Sequence, residues 1–361
     1  MRILIDIGHP AHVHYFKYLI KDLSSHNQII ITTKKNSLIT SLLDYYGLNY
    51  IIIGEKGKSV LGKAIKQINF TKKICKIVKE QKTDLLMGVS VSIAQASKIH
   101  SIQSIYFDDD DLKASPLTAY LGTPFATVIL SPDSLGYENT RNAIYYPGTH
   151  ELAYLHPKRF NPNPGVLEKN GLSIDDKYYI LRFNAFKAHH DINEGGMNLN
   201  QKRQLIKLLE QYGKVFITTE KEIDPEFERY RIPIESYEMH SFLAYSQMLV
   251  SDSQTMSSEA AVLGIPSFRC NTFAGRLSIL EEEEKRYGLT YGYLPRQFEW
   301  MLEAIERVLQ DTEAKAKWSI KRNRMLEDKI DVTAFWVWVI DNYPESVKKV
   351  NRRDFDFGRF K

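Results

Sequence analysis

The chain contains 361 residues, of which 43% are hydrophobic and 25% are charged, and its formal net charge is +4 at pH 7. This length favours two domains over a single core, and the composition is typical of a soluble globular protein. The small net charge gives no support to nucleic-acid binding. The two cysteines, Cys75 and Cys270, lack a metal-binding or disulfide spacing, so we expect buried thiols in a reducing compartment.

Nothing in the sequence predicts a signal peptide or a membrane span. The opening MRILIDIGHP lacks a cationic region followed by a long apolar stretch, and no uncharged apolar run reaches the ~18 residues of a spanning helix. We therefore expect a cytoplasmic protein. Lysines on the helix predicted at 63–81, together with the basic tail at 348–361, leave peripheral contact with the inner face of the cell membrane open.

The first half of the chain alternates apolar strands with amphipathic helices, beginning with a strand at 3–7 and a helix at 13–23. Such alternation predicts an α/β fold with parallel strands and helices on both faces. Further strands are predicted at 28–32, 50–53, 84–89, 104–107 and 126–130. Further helices are predicted at 37–46, 63–81 and 92–99, and after Pro116, with a Gly/Lys-rich loop at 54–62.

A histidine-rich turn follows the first predicted strand. Ligands of open α/β sheets bind at the carboxyl ends of strands, which is where Gly8, His9, His12 and His14 must lie. An imidazole has an ordinary pKa near ~6.5 and can therefore act as a base at neutral pH. His12 is the first candidate for a catalytic base and His14 a reserve, while Gly8 and His9 are expected to bind substrate. Each histidine could equally be a hydrogen-bonded turn residue.

Four consecutive aspartates, Asp108 to Asp111, follow the strand predicted at 104–107. They either cap the next helix and face solvent, attract cationic partners, or coordinate a cation. A metal site requires carboxylates that converge from separate elements, so we expect no metal here. Asp108 is a second reserve for the base.

Residues 131–176 carry five prolines, which marks a composition shift and predicts the interdomain crossing. The expected division is a domain at 1–150, a linker at 151–176, a domain at 177–330, and a helix with a basic tail at 331–361 that packs back across the domain junction. The segment 146–151 is either a turn at the cleft or plain linker. In the second domain, strands are predicted at 178–183, 214–218, Ile234 and 248–251 and after Pro266, and helices at 201–211, 241–245, 256–263, 276–286, 297–309 and 312–329.

A polar turn precedes the helix predicted at 256–263. In such a turn the backbone N–H groups of Ser253, Gln254 and Thr255 suit a phosphate or diphosphate, with the helix dipole behind them. Glu259, one helical turn later, would accept hydrogen bonds from vicinal sugar hydroxyls. Alternatively, Ser253 or Thr255 is an ordinary N-cap and Glu259 a solvated residue. Arg182, at the end of a predicted strand, is a candidate phosphate contact or a structural residue.

Two motifs resemble those of known enzymes. SDSQTxxxEAxxLGxP at 251–266 resembles the DSGGxxxEAxxLGxP signature of UDP-N-acetylglucosamine 2-epimerases and is similar to the RSGxxTxxE stretch of MurG-type glycosyltransferases. GxPAHV at 8–13 is similar to the GGHV loop of MurG-like transferases. With the opening DIGHPAHVHYF, residues 1–340 resemble the DUF354 family. Gln254 and Thr255 stand where the epimerases have two glycines.

The resemblance implies a GT-B fold, with two Rossmann-like domains that enclose a cleft, an acceptor side in the first domain and a nucleotide-sugar site in the second. It also implies that the turn at 251–255 binds the diphosphate, that Glu259 binds the ribose and that His12 lies beside the acceptor. Val89 replaces an aspartate of the epimerase region, and loss of an acid/base partner typically costs ~10²-fold in rate. Epimerisation is therefore disfavoured.

The expected function is glycosyl transfer from a nucleotide diphosphate-sugar, most simply UDP-linked, to a sugar or a lipid-linked acceptor. The setting would be the synthesis of a cell-surface polysaccharide or glycoconjugate. Backbone N–H groups would stabilise the leaving diphosphate, so no metal and no cofactor are expected. The alternatives are a UDP-sugar epimerase or hydrolase, and a nucleotide-sugar-binding protein without catalytic activity.

Overall fold

The computed structural model describes residues 1–55, 60–109, 111, 120–136, 142–183, 196–219 and 223–361. The chain forms two compact units, the first built from Met1–Arg159 with Lys329–Lys361 and the second from Phe160–Asp328. Three expected features lie wholly or mainly outside the described residues, namely the helix after Pro116, the middle of the loop at 54–62, and Asp110.

The strands of the first unit pair in parallel, and their mostly buried apolar side chains are typical of a parallel sheet. Within the described residues the sheet has seven strands in the order β3-β2-β1-β4-β5-β6-β7. Their bounds are β1 Arg2–Ile7, β2 Gln28–Lys34, β3 Tyr50–Gly54, β4 Leu85–Gly88, β5 Gln103–Phe107, β6 Val128–Pro132 and β7 Ala143–Tyr146.

The second unit contains a parallel sheet that has five strands within the described residues, in the order β12-β11-β10-β8-β9. Apolar side chains cover both of its faces and form two separate core clusters. The strand bounds are β8 Tyr178–Arg182, β9 Lys214–Thr218, β10 Met248–Ser251, β11 Ser267–Cys270 and β12 Thr290–Tyr293.

The helices alternate with the strands along the chain. Their bounds are α1 Pro10–Leu23, α2 Ser37–Tyr45, α3 Val60–Gln81, α4 Val91–His100, α5 Leu152–Leu155, α6 Gly165–Lys169, α7 Leu199–Leu209, α8 Met239–Tyr245, α9 Gln254–Leu263, α10 Ser278–Lys285, α11 Phe298–Gln310, α12 Ala314–Asp328, α13 Val332–Asp341 and α14 Glu345–Val350. Short 3₁₀ segments lie at Thr123–Phe125, Asp133–Leu135, Pro225–Tyr230, Pro295–Gln297 and Phe357–Phe360. Among the helices described, none combines the length and apolar character needed to cross a bilayer.

Three details differ from the sequence-based expectations. The strand predicted at Ile234 is wrong, because Pro233 interrupts the segment and leaves only an isolated bridge between Ile217 and Arg231. Strands β7 and β12, each of four residues, were not predicted. The expected linker begins with α5, whose residues are all buried.

The carboxyl-terminal segment folds onto the first unit. Helix α13 packs against α1 and α5, and the Trp336 ring lies 4.6 Å from the Phe107 ring. The basic tail is also packed there, because the Phe360 ring contacts both Phe335 and Trp338. The tail therefore contributes to the core of this unit.

Each sheet has one switch point, where the strand order reverses direction. It lies between β1 and β4 in the first unit and between β8 and β10 in the second. At the first switch point the backbone is tight, because a Cβ on Gly88 would come within 2.8 Å of the Asp6 carbonyl oxygen. Crevices outside the carboxyl ends of strands at switch points are where open α/β sheets bind ligands.

Candidate functional site

A histidine and an aspartate meet at the first switch point. His9 caps α1 through its Nδ1, which accepts the Ala11 N–H, and Pro10 begins the helix with a preset φ. His12, in the first turn, places its Nε2 3.2 Å from Oδ2 of Asp109. Its Nδ1 accepts the N–H of Gly8 over 3.4 Å. A neutral His12 ring that makes both contacts carries its proton on Nε2.

The environment of Asp109 favours its charged form. Burial acts to raise the pKa of this carboxyl, but the hydrogen bond with His12 and the charges of His12, His150 and His9 outweigh burial, so the pKa lies below its ordinary value. Asp109 is therefore ionised at neutral pH. A carboxylate in this position fixes the imidazole tautomer and stabilises an imidazolium.

The other site residues predicted in the first unit make different contacts. Gly8 and His9 lie with His12 in the same turn, as described above. Asp108 is buried, and its carboxylate accepts the hydroxyl of Ser131 at 3.1 Å. His14 is buried in α1, where its ring stacks on Tyr154. Asp109, rather than Asp108 or His14, therefore completes the pair with His12.

His150 is a third histidine of this site that the sequence did not single out by itself. It lies in the segment 146–151, which was left open between a turn and a plain linker. The residue is 1% exposed, and its ring stacks on Tyr15 at 5.0 Å. Burial lowers the His150 pKa to about 4, although the Asp109 charge opposes that shift. His150 is therefore neutral at physiological pH.

The polar turn of the second unit lies at the second switch point. Ser251 ends β10 in register with Arg182 of β8, and the Asp252 N–H donates to the Arg182 carbonyl. Ser253 caps α9 by accepting the Met256 N–H at 3.4 Å. The N–H groups of Gln254 and Thr255, which precede Met256 in the first turn, have no acceptor within the helix. They form a concentrated donor site beside Arg182.

Glu259 is buried in α9 rather than solvated. Its Oε1 lies 2.9 Å from Nε2 of His240 on α8, and the two side chains are 6% and 4% exposed. The ring of Phe160 packs edge-on against His240. The carboxylate is therefore held in one orientation, one turn along the helix from the donor site.

Two further cations lie near this turn and were not predicted. Lys202 of α7 is buried, with its ammonium 4.7 Å from the Phe183 ring centroid. Burial lowers its pKa, and the charge of Asp252 opposes that shift. Arg269 of β11 flanks Ser251 on the side away from Arg182. No sequence signal distinguished either residue, because a lysine on a helix and an arginine on a short strand are ordinary surface residues.

The environment of Arg269 is unusual for a guanidinium. The side chain is fully buried, and its three nitrogens have no hydrogen-bond partner among the residues that the structure describes. Burial lowers its pKa, while the charges of Glu284, Glu283 and Glu281 act in the opposite direction. The acidic residues of α10 thus compensate a buried positive charge next to the turn.

A metal site would require several His, Cys, Asp or Glu side chains that converge on one point. In the described ranges, no group of three or more His, Cys, Asp or Glu side chains is arranged to do so. Asp108 and Asp109, from the predicted carboxylate run, accept hydrogen bonds from Ser131 and His12 instead.

The chain has a GT-B fold, with two parallel α/β sheets that each have a switch point, and solved structures share this fold. The UDP-GlcNAc 2-epimerase from Neisseria meningitidis bound to UDP-GlcNAc matches 88% of this chain and 94% of its own, with TM-score 0.67 and 13% identity. Spinosyn rhamnosyltransferase SpnG matches 95% of this chain and 100% of its own, with TM-score 0.63 and 13% identity.

The chain belongs to the family described as "Protein of unknown function (DUF354)", whose model matches residues 1–282. A relative, "Uncharacterized protein MJ0665" from Methanocaldococcus jannaschii, is 25% identical over 284 residues, which cover 74% of this chain and 81% of that protein. The GT-B fold and the family expected from the two motifs are thereby confirmed.

The neutral state of His150 predicts acid sensitivity. Its folded pKa of about 4 lies below the ordinary 6.5, so the unfolded chain binds a proton more readily between these values. Stability should fall as pH decreases from 6.5 to 4, by up to about 3 kcal/mol from this group. Urea unfolding between pH 7.5 and 4.5 should show a weaker pH dependence for His150→Asn than for the wild type. The exposed-site variant His26→Asn should show the same pH dependence as the wild type. An equal pH dependence of the free energy of unfolding in all three proteins would show that His150 does not cause the acid sensitivity.

Proposed function

We propose that this protein is a glycosyltransferase that uses a nucleotide diphosphate-sugar, most simply a UDP-sugar. Its acceptor would be a sugar or a lipid-linked sugar of a cell-surface polysaccharide or glycoconjugate. The observation that carries the proposal is the His12–Asp109 pair at the first switch point. An acceptor hydroxyl needs a base to become a nucleophile, and an imidazole oriented by a carboxylate is well suited to that step.

The tautomer of His12 indicates which nitrogen acts. Nε2 carries the proton shared with Asp109, so Nδ1 holds the available lone pair. Its contact with the Gly8 N–H is long, at 3.4 Å, so little energy is needed to exchange it for an acceptor hydroxyl. The proton moves from that hydroxyl to Nδ1 while the acceptor oxygen attacks the anomeric carbon and the diphosphate leaves with the bonding electrons. Asp109 stabilises the imidazolium that forms.

The second unit supports the donor half of the proposal. The Ser253 N–H already donates to the Ser251 hydroxyl at 2.9 Å, so the N–H groups of Gln254 and Thr255 and the α9 dipole would stabilise the negative charge of the leaving diphosphate, with neither metal nor cofactor. Arg182, at the end of the neighbouring strand, would add a charged contact. Glu259 would bind the ribose hydroxyls, and His240 would keep its carboxylate oriented.

Epimerisation or hydrolysis of the sugar nucleotide is the second candidate, because a UDP-GlcNAc 2-epimerase shares the fold. A panel of nucleotide-sugars incubated with the protein, without acceptor, separates the candidates. We expect UDP-sugar binding with no conversion, measured by calorimetry and chromatography, followed by transfer once acceptors are added. Free UDP with free sugar would establish a hydrolase, a new isomer an epimerase, and binding without transfer to any acceptor a non-catalytic protein.

The ribose contact predicts a nucleotide-affinity defect for Glu259→Gln. Loss of charge-assisted hydrogen bonds to two hydroxyls should weaken UDP binding by roughly 1–3 kcal/mol, measured by isothermal titration calorimetry. Glu299→Gln, an exposed change on α11, is the matched control. Equal UDP affinity in a folded Glu259→Gln protein would remove the nucleotide site from this turn.

If His12 is the base, its replacement should slow sugar transfer without weakening donor binding. His12→Ala and Asp109→Asn should each retain UDP affinity and lose transfer by ~10²-fold or more, because one removes the base and the other its orienting charge. Initial rates at saturating donor test this, with His26→Ala as a control for loss of a histidine. Wild-type rates in His12→Ala would eliminate it as the base.

A further inference from the structure

The two residues that lead from β10 into α9, Asp252 and Ser253, have backbone groups that are bonded on several sides. The Asp252 N–H donates to the Arg182 carbonyl at 3.1 Å. The Ser253 N–H donates to Oγ of Ser251 at 2.9 Å, and the Ser253 carbonyl accepts the hydroxyl of Ser257 at 2.8 Å. Both of these serine side chains are fully buried. The Asp252 carbonyl is the remaining polar backbone group of the dipeptide, and its donor is the residue that follows β11.

That donor is Asn271, which is 2% exposed. Its Nδ2 donates to the Asp252 carbonyl at 3.0 Å, and its Oδ1 accepts the Phe273 N–H at 2.9 Å. Its own backbone N–H donates to the Tyr293 carbonyl at 3.1 Å, which ties the residue to the end of β12. One buried carboxamide therefore joins the turn after β10 to the loop after β11.

The two partners of the Asn271 carboxamide determine its orientation. Its N–H faces a carbonyl and its oxygen faces an N–H, so a flipped amide would set oxygen against oxygen and N–H against N–H. A buried carbonyl that loses its donor is costly unless the backbone turns toward another partner. We therefore expect the Asp252 carbonyl to move when the Asn271 amide is removed.

The Asp252 carbonyl also fixes the start of α9, because it belongs to the same rigid peptide unit as the Ser253 N–H. Ser253 is the extended N-cap from which the helix begins. A rotation of this peptide unit would change the direction in which the helix leaves the turn, and with it the positions of the Gln254 and Thr255 N–H groups. These two N–H groups have no acceptor within the helix, so they are the ones available to a ligand.

We propose that Asn271 is a positioning residue for the polar turn at 251–255, where it holds the Asp252–Ser253 peptide so that the Gln254 and Thr255 N–H groups converge on one phosphate. The identity of the ligand rests on the proposed function, whereas the positioning is a property of the unliganded protein. Asn271 acts through the turn and not on the ligand, because it is excluded from solvent and both ends of its amide are occupied.

Two substitutions separate the contacts of the carboxamide. Asn271→Leu removes both contacts without adding a charge, and Asn271→Asp removes the donor to Asp252 but keeps an acceptor for the Phe273 N–H. Asn170→Leu is the matched control, because Nδ2 of Asn170 donates to the Val166 carbonyl at 2.8 Å elsewhere in the same unit. Circular dichroism and thermal unfolding establish which variants fold. If Asn271→Leu does not fold, Asn271→Ala takes its place.

The first readout is hydrogen exchange of single backbone amides in the unliganded protein, followed by NMR. The Ser253 amide should exchange about tenfold faster or more in Asn271→Leu and in Asn271→Asp than in the wild type, because the peptide unit that carries it is released. The Phe273 amide should exchange faster only in Asn271→Leu. Asn170→Leu should match the wild type at both amides. A wild-type rate at Ser253 in a folded Asn271 variant, or an equal acceleration in the control, would overturn the inference.

The second readout uses UDP and uridine as probes in calorimetric titrations. Asn271→Leu should bind UDP about tenfold or more weakly and uridine as tightly as the wild type does, because only the phosphate contacts depend on a preorganised turn. Equal UDP affinity in the wild type and in folded Asn271→Leu would reject the positioning role, and so would an equal loss for UDP and uridine. Faster Ser253 exchange in the variants together with no UDP binding by the wild type would retain the positioning role and reject the nucleotide site.

Discussion

Parallel strand register is the constraint on which both candidate sites depend. In the second sheet, pairing places Arg182, Ser251 and Arg269 side by side on three adjacent strands. Register partners in a parallel sheet direct their side chains to the same face, so this row has a cation on each side of the serine that opens the turn. In the first sheet, the parallel strands have their carboxyl ends at the same edge, so the turn after β1 and the turn after β5 both lie there. No local preference of the histidines or aspartates could produce that meeting.

The two histidine–carboxylate pairs differ in exposure, and the difference separates their roles. In His12–Asp109 the side chains are 11% and 25% exposed, whereas in His240–Glu259 they are 4% and 6% exposed. A pair that retains contact with solvent can exchange a proton with a ligand, while a fully buried pair mainly fixes geometry.

The sequence was sufficient for the fold and for the motifs, but not for the partners within each site. Continuous apolar strands between amphipathic helices predicted two α/β halves, and the motifs at 8–13 and 251–266 predicted the family. The sequence could not show which of Asp108 and Asp109 contacts His12, because adjacent residues at a strand end point in opposite directions. His150 is 138 positions from His12, and only the return of the chain through β7 brings it near. The catalytic and binding roles assigned to these residues stay predictions.

Gln254 and Thr255 stand where the epimerases have two glycines, and this difference affects how a ligand approaches the turn. Glycine is required where a backbone needs a positive φ or where a ligand must pass over the Cα. Here Ser253 is an ordinary extended N-cap, and the following residues are helical. In the first turn of a helix the N–H groups point along the axis, and the Cα–Cβ bonds tilt toward the same N-terminal end. The Gln254 and Thr255 side chains therefore border the axial approach to their own N–H groups, where the epimerase glycines leave that approach open.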